Sequence, residues 1–138
     1  MPARAAVLID GFNLYHSLQA DKASKWLDPC KLIKDALIQQ ADTAEVMAIH
    51  YFTALPLHLS LTDPGRLARH RINLRALSAQ RNPRIEIHHG RIRAQSIEIS
   101  QGRSKTRGRI WREKGTDIAL AVKLFELAMT GAYDEFII

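Results

Sequence analysis

Ala6-Val7-Leu8-Ile9-Asp10-Gly11-Phe12-Asn13-Leu14-Tyr15 is the stretch that decides the fold. Ala6 to Ile9 is a short apolar run with β-branched residues, which reads as a strand buried on both faces. It stops at a carboxylate followed by glycine and asparagine. In an open α/β sheet, ligands and metals collect just outside the carboxyl ends of the strands, so Asp10 stands where chemistry is done. Aspartate is also a common helix cap. The segment from Asn13 to Gln19 reads as the helix it would cap, with Phe12, Tyr15 and Leu18 towards the core. From this stretch alone both roles stay open.

Outward from it, the polar segment from Asp21 to Asp28 reads as a loop packed down by Trp26. Pro29 suits a helix first turn, and Leu32, Ile33, Ala36 and Leu37 recur behind it at helical spacing. Ala44 to Ala54 reads as a second buried strand, and Pro56 to Pro64 as a linking segment. Gly65 to Gln80 reads as an amphipathic helix with Leu67, Ile72, Leu74 and Leu77 on its core side and Arg66, Arg69, Arg71 and Arg75 elsewhere. Asn82-Pro83 marks a turn, after which Ile85, Ile87 and the run to Ile92 read as a third strand. Gly115-Thr116-Asp117 opens a helix so apolar (Ile118, Leu120, Val122, Leu124, Phe125, Leu127) that burial on all sides is expected. Gly131 ends it, and Asp134 to Ile138 enters a last strand. This alternation of strands and helices predicts an α/β fold with a mainly parallel sheet.

Composition limits what the protein can be. The chain has 138 residues, 46% of them hydrophobic and 25% charged, the profile of a soluble globular protein. Its apolar runs are too short to cross a bilayer, and the N-terminus reaches Asp10 without the apolar core of a signal peptide. One cysteine, Cys30, excludes an internal disulfide and a cysteine-based zinc site, and it reads as a half-buried or surface thiol. A reducing, cytoplasmic setting follows as the expectation. The six histidines, His88-His89 among them, show no zinc-ligand spacing and read as structural or surface residues.

The net charge of +6 favours a polyanionic partner. The charge is concentrated between Gly90 and Lys114, where Arg91, Arg93, Arg103, Lys105, Arg107, Arg109, Arg112 and Lys114 are opposed only by Glu98 and Glu113. With Gly102, Ser104 and Gly108 this stretch reads as a mobile, arginine-rich excursion. It suits phosphate contacts, with Trp111 available for base stacking. For any single residue, a solvated hairpin explains the pattern as well.

Asp117, at the start of the apolar helix, is the second carboxylate of interest. It could serve the helix dipole, or share a crevice with Asp10. Two close carboxylates repel and call for a cation between them. Oxygen ligands select Mg²⁺ or Mn²⁺, ions that can activate water and steady the leaving oxygen in phosphodiester hydrolysis. Other chemistries lack their residues: there is no phosphate loop ending in Lys-Ser/Thr, no dinucleotide fingerprint and no Gly-x-Ser-x-Gly elbow. Phe12 stands where an aspartyl-nucleophile phosphatase would want its second aspartate.

Val7-Leu8-Ile9-Asp10-Gly11-Phe12-Asn13-Leu14-Tyr15, together with Glu113-Lys114-Gly115-Thr116-Asp117-Ile118-Ala119-Leu120-Ala121 and Gly131-Ala132-Tyr133-Asp134, resembles the NYN domain family of PIN-like ribonucleases. The arginine-rich helix and the strand end Glu86-Ile87-His88-His89-Gly90 extend the resemblance over essentially the whole chain. It implies a PIN-like three-layer α/β/α sandwich with an acidic pocket at the strand C-termini, and Mg²⁺- or Mn²⁺-dependent cleavage of RNA. On the matching positions Asp10 and Asp117 would be the catalytic metal ligands and Asn13 a polar group of the pocket. Gly11 would let the backbone pass close to substrate. The family usually continues past the last strand into a Ser-x-Asp-Ser-Asp-like turn with further carboxylates. This sequence stops at Ile138, so one domain over residues 1–138 without that turn is expected. Lys123 stands where many relatives carry an acidic or polar residue.

Two functions therefore compete. One is a metal-dependent endoribonuclease using Asp10 and Asp117, with the arginines of the 91–112 stretch holding single-stranded RNA. The other is a PIN-like module that binds RNA without cutting it. A homo-oligomer is compatible with either, and a membrane partner with neither. A protein-interaction scaffold is a third and weaker option, since fold does not fix function.

Overall fold

The computed structural model describes residues 1–138 except 19–20, 25, 40–42 and 103. Its elements are β1 (Arg4–Asp10), α1 (Gly11–Leu18), α2 (Pro29–Gln39), β2 (Glu45–Thr53), α3 (Pro64–Ser78), β3 (Arg84–His89), β4 (Arg91–Gln101), β5 (Ser104–Lys114), α4 (Thr116–Thr130) and β6 (Glu135–Ile137), with short 3₁₀ turns at Lys22–Ser24 and Leu57–Leu59. The expected helix end at Gln19 lies outside the described residues, and so does Arg103.

The central sheet has the order β3-β2-β1-β6, and every neighbouring pair in it is parallel. β1 lies inside the sheet, with Ala5, Ala6, Val7 and Leu8 all buried. That is why its sequence is apolar at consecutive positions instead of alternating. On one face Val7, Ile49 and Ile85 pack against Cys30 and Ile33 of α2 and Leu74 and Leu77 of α3. α4 packs against β1 and β2, on the side to which His50 and Phe52 point. Helices thus flank the parallel sheet, the arrangement expected of a PIN-like fold. Full burial of Phe52, Leu8, Ile49 and Val7 contributes about 1.5–3 kcal/mol each.

Local signals explain the helix boundaries. Pro64 occupies the first turn of α3, and Asp63 caps it by accepting from the Arg66 amide. Gly131 ends α4 at φ 63°, a left-handed conformation that glycine adopts without steric cost. The turn into β3 carries a cis Asn82–Pro83 peptide.

Several expectations need correction. The third strand does not run on to Ile92. It stops at His89, where the Gly90 amide donates to the Thr53 carbonyl at 2.7 Å, and from Arg91 onward the chain pairs with β5 instead of β2. The basic stretch is not a mobile excursion but a two-stranded antiparallel ribbon. Its ladder is continuous from Arg91↔Lys114 to Gln101↔Ser104, and Gly102 supplies the φ 60° that its turn requires.

Ile72 is 64% exposed, because the buried line of α3 runs through Leu67, Leu74 and Leu77 and Ile72 points off it. Trp26 is 54% exposed and does not pack its loop down. Cys30 is buried among α2, α3 and the sheet, and its thiol donates to Gln80 Oε1 at 2.9 Å. The largest departure is α4. Leu120, Lys123, Leu124 and Leu127 are half-buried, whereas Ile118, Val122, Phe125 and Met129 form an exposed stripe, Ile118 at 71% and Phe125 at 68%. The sheet covers one side of this helix, so apolar composition did not translate into burial all round. Among the described residues no helix is long and apolar enough to cross a membrane.

Candidate active site

Asp10 is the last residue of β1, and the chain turns from it directly into α1. One carboxylate oxygen, Oδ1, accepts from the backbone amides of Phe12 (3.0 Å) and Asn13 (2.9 Å). The other, Oδ2, accepts from Asn13 Nδ2 at 2.8 Å. The capping role and the strand-end position, alternatives in the sequence, therefore belong to the same side chain. Asn13 holds the carboxylate in place. Gly11 is buried, and a Cβ there would strike the Tyr51 ring and come within 2.7 Å of the Phe52 carbonyl. The close approach that this glycine permits is thus to β2.

The ribbon brings a third carboxylate to the same place. Glu113, near the end of β5, is half-buried, and burial raises its pKa above the ordinary carboxylate value. The charges of Asp10 and Asp117 raise it further, against the lowering effect of a hydrogen bond from Thr116. The charges of Asp10, Glu113 and Asp117 are thus felt together at the C-terminal end of β1 and the N-terminal end of α4. The buried Thr116 hydroxyl donates to Glu113 Oε1. Gly90 lies beneath this pair, since a Cβ there would stand 3.2 Å from Glu113 Oε1 and 3.1 Å from Thr116 Oγ1. Asp117, in the first turn of α4, is exposed.

In the sequence Glu113 stands as a charge opposing the arginines and as the first residue of the second family motif, with no role in the pocket assigned to it. The signal that marks it is its position four residues before Asp117, across a glycine that turns the ribbon into α4. An all-carboxylate donor set fits Mg²⁺ or Mn²⁺. Among the described residues these three carboxylates do not form a group whose ligand atoms all lie within 4.8 Å of one another.

The ribbon register sorts the remaining candidate residues into two faces, because directly opposed residues project to the same side. Arg91 opposes Lys114 and Arg93 opposes Arg112, so these four cations share one face. Glu113, Trp111, Arg109, Arg107 and Lys105 alternate along β5 on the other. All seven of these described basic residues are exposed. Lys105 pairs with Glu98 at 3.7 Å. Trp111 stacks on His58 with ring centroids 4.6 Å apart and planes 11° from parallel, which ties the ribbon to the segment between β2 and α3.

A parallel sheet flanked by helices, with acidic residues at the carboxyl end of its inner strand, defines a PIN-like nuclease-type domain. The chain belongs to the NYN domain family, whose model matches residues 4–138. No match was found among curated proteins or among solved structures.

Proposed function

We propose that this chain is a metal-dependent endoribonuclease domain that hydrolyses phosphodiester bonds of single-stranded RNA at Asp10, Glu113 and Asp117. The observation that carries this reading is geometric: Asp10 ends β1, and α4, which packs on β1, opens with Asp117 and with Thr116 bonded to Glu113, at the end of a parallel sheet where ligands collect. Mg²⁺ or Mn²⁺, when bound, would supply charge stabilisation and an activated water. Asp10 and Asp117 would be the principal ligands, with Asp10 fixed in orientation by Asn13. Glu113, half-buried and bonded to Thr116 at the start of α4, is the carboxylate suited to taking up or releasing a proton.

RNA would reach the pocket along the ribbon face that carries Glu113. Alternate residues of a strand stand about 6.8 Å apart, so Lys105, Arg107 and Arg109 form a track of cations for successive phosphates. Trp111, half-exposed beside His58, offers a face for one base. Arg91, Arg93, Arg112 and Lys114 make a second cationic surface for the backbone. The deep, narrow major groove of duplex RNA would not admit such a ribbon, which favours a single strand.

A second reading, RNA binding without cleavage, is favoured by the state of Asp10, whose two oxygens already accept three hydrogen bonds. Cleavage of end-labelled single-stranded RNA with Mn²⁺, with EDTA, and by the Asp10→Asn variant under Mn²⁺ separates the two. Cleavage that needs both the metal and Asp10 supports the nuclease. Intact RNA in all three reactions, with salt-dependent binding that survives EDTA, supports the binding module.

A further inference from the structure

A different set of donors lies on the α4 side of the sheet, one strand beyond Phe52 from Asp10. His50 comes from β2, and Glu86 and His88 from β3. The parallel register places His50 beside Glu86 and Phe52 beside His88, and alternation along the strands sends these side chains to one face. His50 Nδ1 stands 3.0 Å from His88 Nε2 and 3.5 Å from Glu86 Oε2. Among the described residues this is the one group of three donors whose ligand atoms all lie within 4.8 Å of one another. His50 is 3% exposed. The His88 ring is stacked on Phe52, 4.5 Å between centroids and 15° from parallel, so neither imidazole is free to turn away.

We propose that His50, Glu86 and His88 form a site for Zn²⁺ or a similar borderline transition-metal ion, separate from the RNA-cleaving pocket. Two imidazoles and a carboxylate are a donor set that selects Zn²⁺ over Mg²⁺, which prefers oxygen alone. An ion about 2.0–2.1 Å from each nitrogen in a tetrahedral site separates the two nitrogens by roughly 3.4 Å. The observed 3.0 Å needs only a small opening to reach it. Without an ion, the two facing nitrogens stand within hydrogen-bond distance, one donating to the other according to tautomer. Burial holds both imidazoles towards the neutral form that a metal requires.

Lys123 is the charge that opposes a cation here, since it acts on both histidines. Its partner Glu126, 3.4 Å away, offsets it and acts on His88 with the opposite sign. Arg84 beside His50 and His89 beside His88 act as Lys123 does, and Glu86 counters them on both rings. Three protein donors leave a tetrahedral ion one position for water. Because the ligands come from neighbouring strands, the ion ties β2 to β3. Its first effect is therefore on stability, not on cleavage.

The test is titration of the full chain, prepared metal-free, with Zn²⁺ and then with Co²⁺ as a spectroscopic probe. With Mg²⁺ in excess to fill the carboxylate pocket, one Zn²⁺ is expected to bind per chain and to raise the melting temperature further, whereas more Mg²⁺ does not. Co²⁺ should give the intense visible absorption of a tetrahedral site. His88→Ala and Glu86→Gln, at half-buried positions where folding should survive, are expected to weaken Zn²⁺ binding on the order of a hundredfold or more and to abolish the Co²⁺ spectrum. Asp10→Asn should bind Zn²⁺ like the parent chain. Zn²⁺ binding that persists in His88→Ala, or is lost in Asp10→Asn, overturns the assignment. So does failure of the folded parent chain to bind Zn²⁺.

Discussion

Arg93 stands directly opposite Arg112 across the β4–β5 ribbon, and the next pair towards its base, Arg91 and Lys114, is likewise cation against cation. Like charges at directly opposed positions destabilise a ladder by up to about 1 kcal/mol per pair. Among the described residues no ion pair engages any of the four. A polyanion laid across this face would relieve the repulsion. Arg93→Ala is accordingly expected to raise the melting temperature slightly in the absence of RNA while weakening RNA binding. For single strands the slope of log affinity against log salt should fall by about 0.7 for each phosphate contact removed. Fluorescence anisotropy of labelled RNA over a KCl series measures it, and an unchanged slope would mean that Arg93 touches no phosphate.

Arg4 and Asp134 fasten the two ends of the described chain together. Asp134 Oδ2 accepts from the Arg4 amide at 2.9 Å and from Arg4 Nε at 3.0 Å, and Oδ1 accepts from Nη2 at 3.0 Å. The Asp134 amide returns a bond to the Arg4 carbonyl. These bonds set the register of β6 on β1. They also lower the Asp134 pKa to about 2 from its ordinary 3.8. A depressed carboxylate adds stability that is fully present above the unfolded value and is lost as pH falls through the folded one. Asp134→Asn should therefore melt lower at neutral pH, by the small margin that an exposed ion pair contributes. The gap should narrow below about pH 4 and close near pH 2, and a gap independent of pH would assign the effect to hydrogen bonding alone.

How much of this could be read from the sequence follows from the range of each interaction. β1 and Asp10 were legible because a buried parallel strand writes itself as consecutive apolar residues, and the turn into α1 is encoded within three residues of Asp10. Asp117 was legible as a helix-start carboxylate. Glu113 was not, because its significance depends on the ribbon folding back to set it beside Asp10, a relation of about a hundred residues along the chain. The His50–His88 pairing was hidden for the same reason: it depends on the register of β2 against β3, not on spacing. The exposed stripe of α4 was misread because apolar composition states what avoids water and not what stands against it.

Asp10 combines two roles that substitution can separate. Asparagine keeps an Oδ1 acceptor for the Phe12 and Asn13 amides, and asparagine and aspartate are about equally good caps. Asp10→Asn should therefore leave stability nearly unchanged, whereas Asp10→Ala should cost about 1 kcal/mol through the lost cap. Both should abolish Mn²⁺-dependent cleavage. Thermal melts beside cleavage assays make the comparison. Loss of activity in Asp10→Ala alone would mean that the carboxylate serves α1 and not the reaction.

Glu113 permits the sharpest use of pH. Its pKa is raised by burial and by the charges of Asp10 and Asp117, so the fold favours the protonated carboxyl. The sign is opposite to that of Asp134. Ionised Glu113 carries a penalty that is fully present above its folded pKa and absent below the unfolded value of 4.5. Glu113→Gln retains the acceptor for Thr116 and removes the charge. Without divalent metal it should melt higher than the parent chain at neutral pH, and the two curves should converge below about pH 4.5. Mn²⁺ should reverse the order, because a bound cation favours the ionised carboxylate that the variant lacks. Under Mn²⁺ the acid limb of the parent's cleavage profile should report the titration of Glu113, and any activity left in Glu113→Gln should lack that limb. If the parent and the variant share one pH profile, Glu113 takes no part in proton transfer.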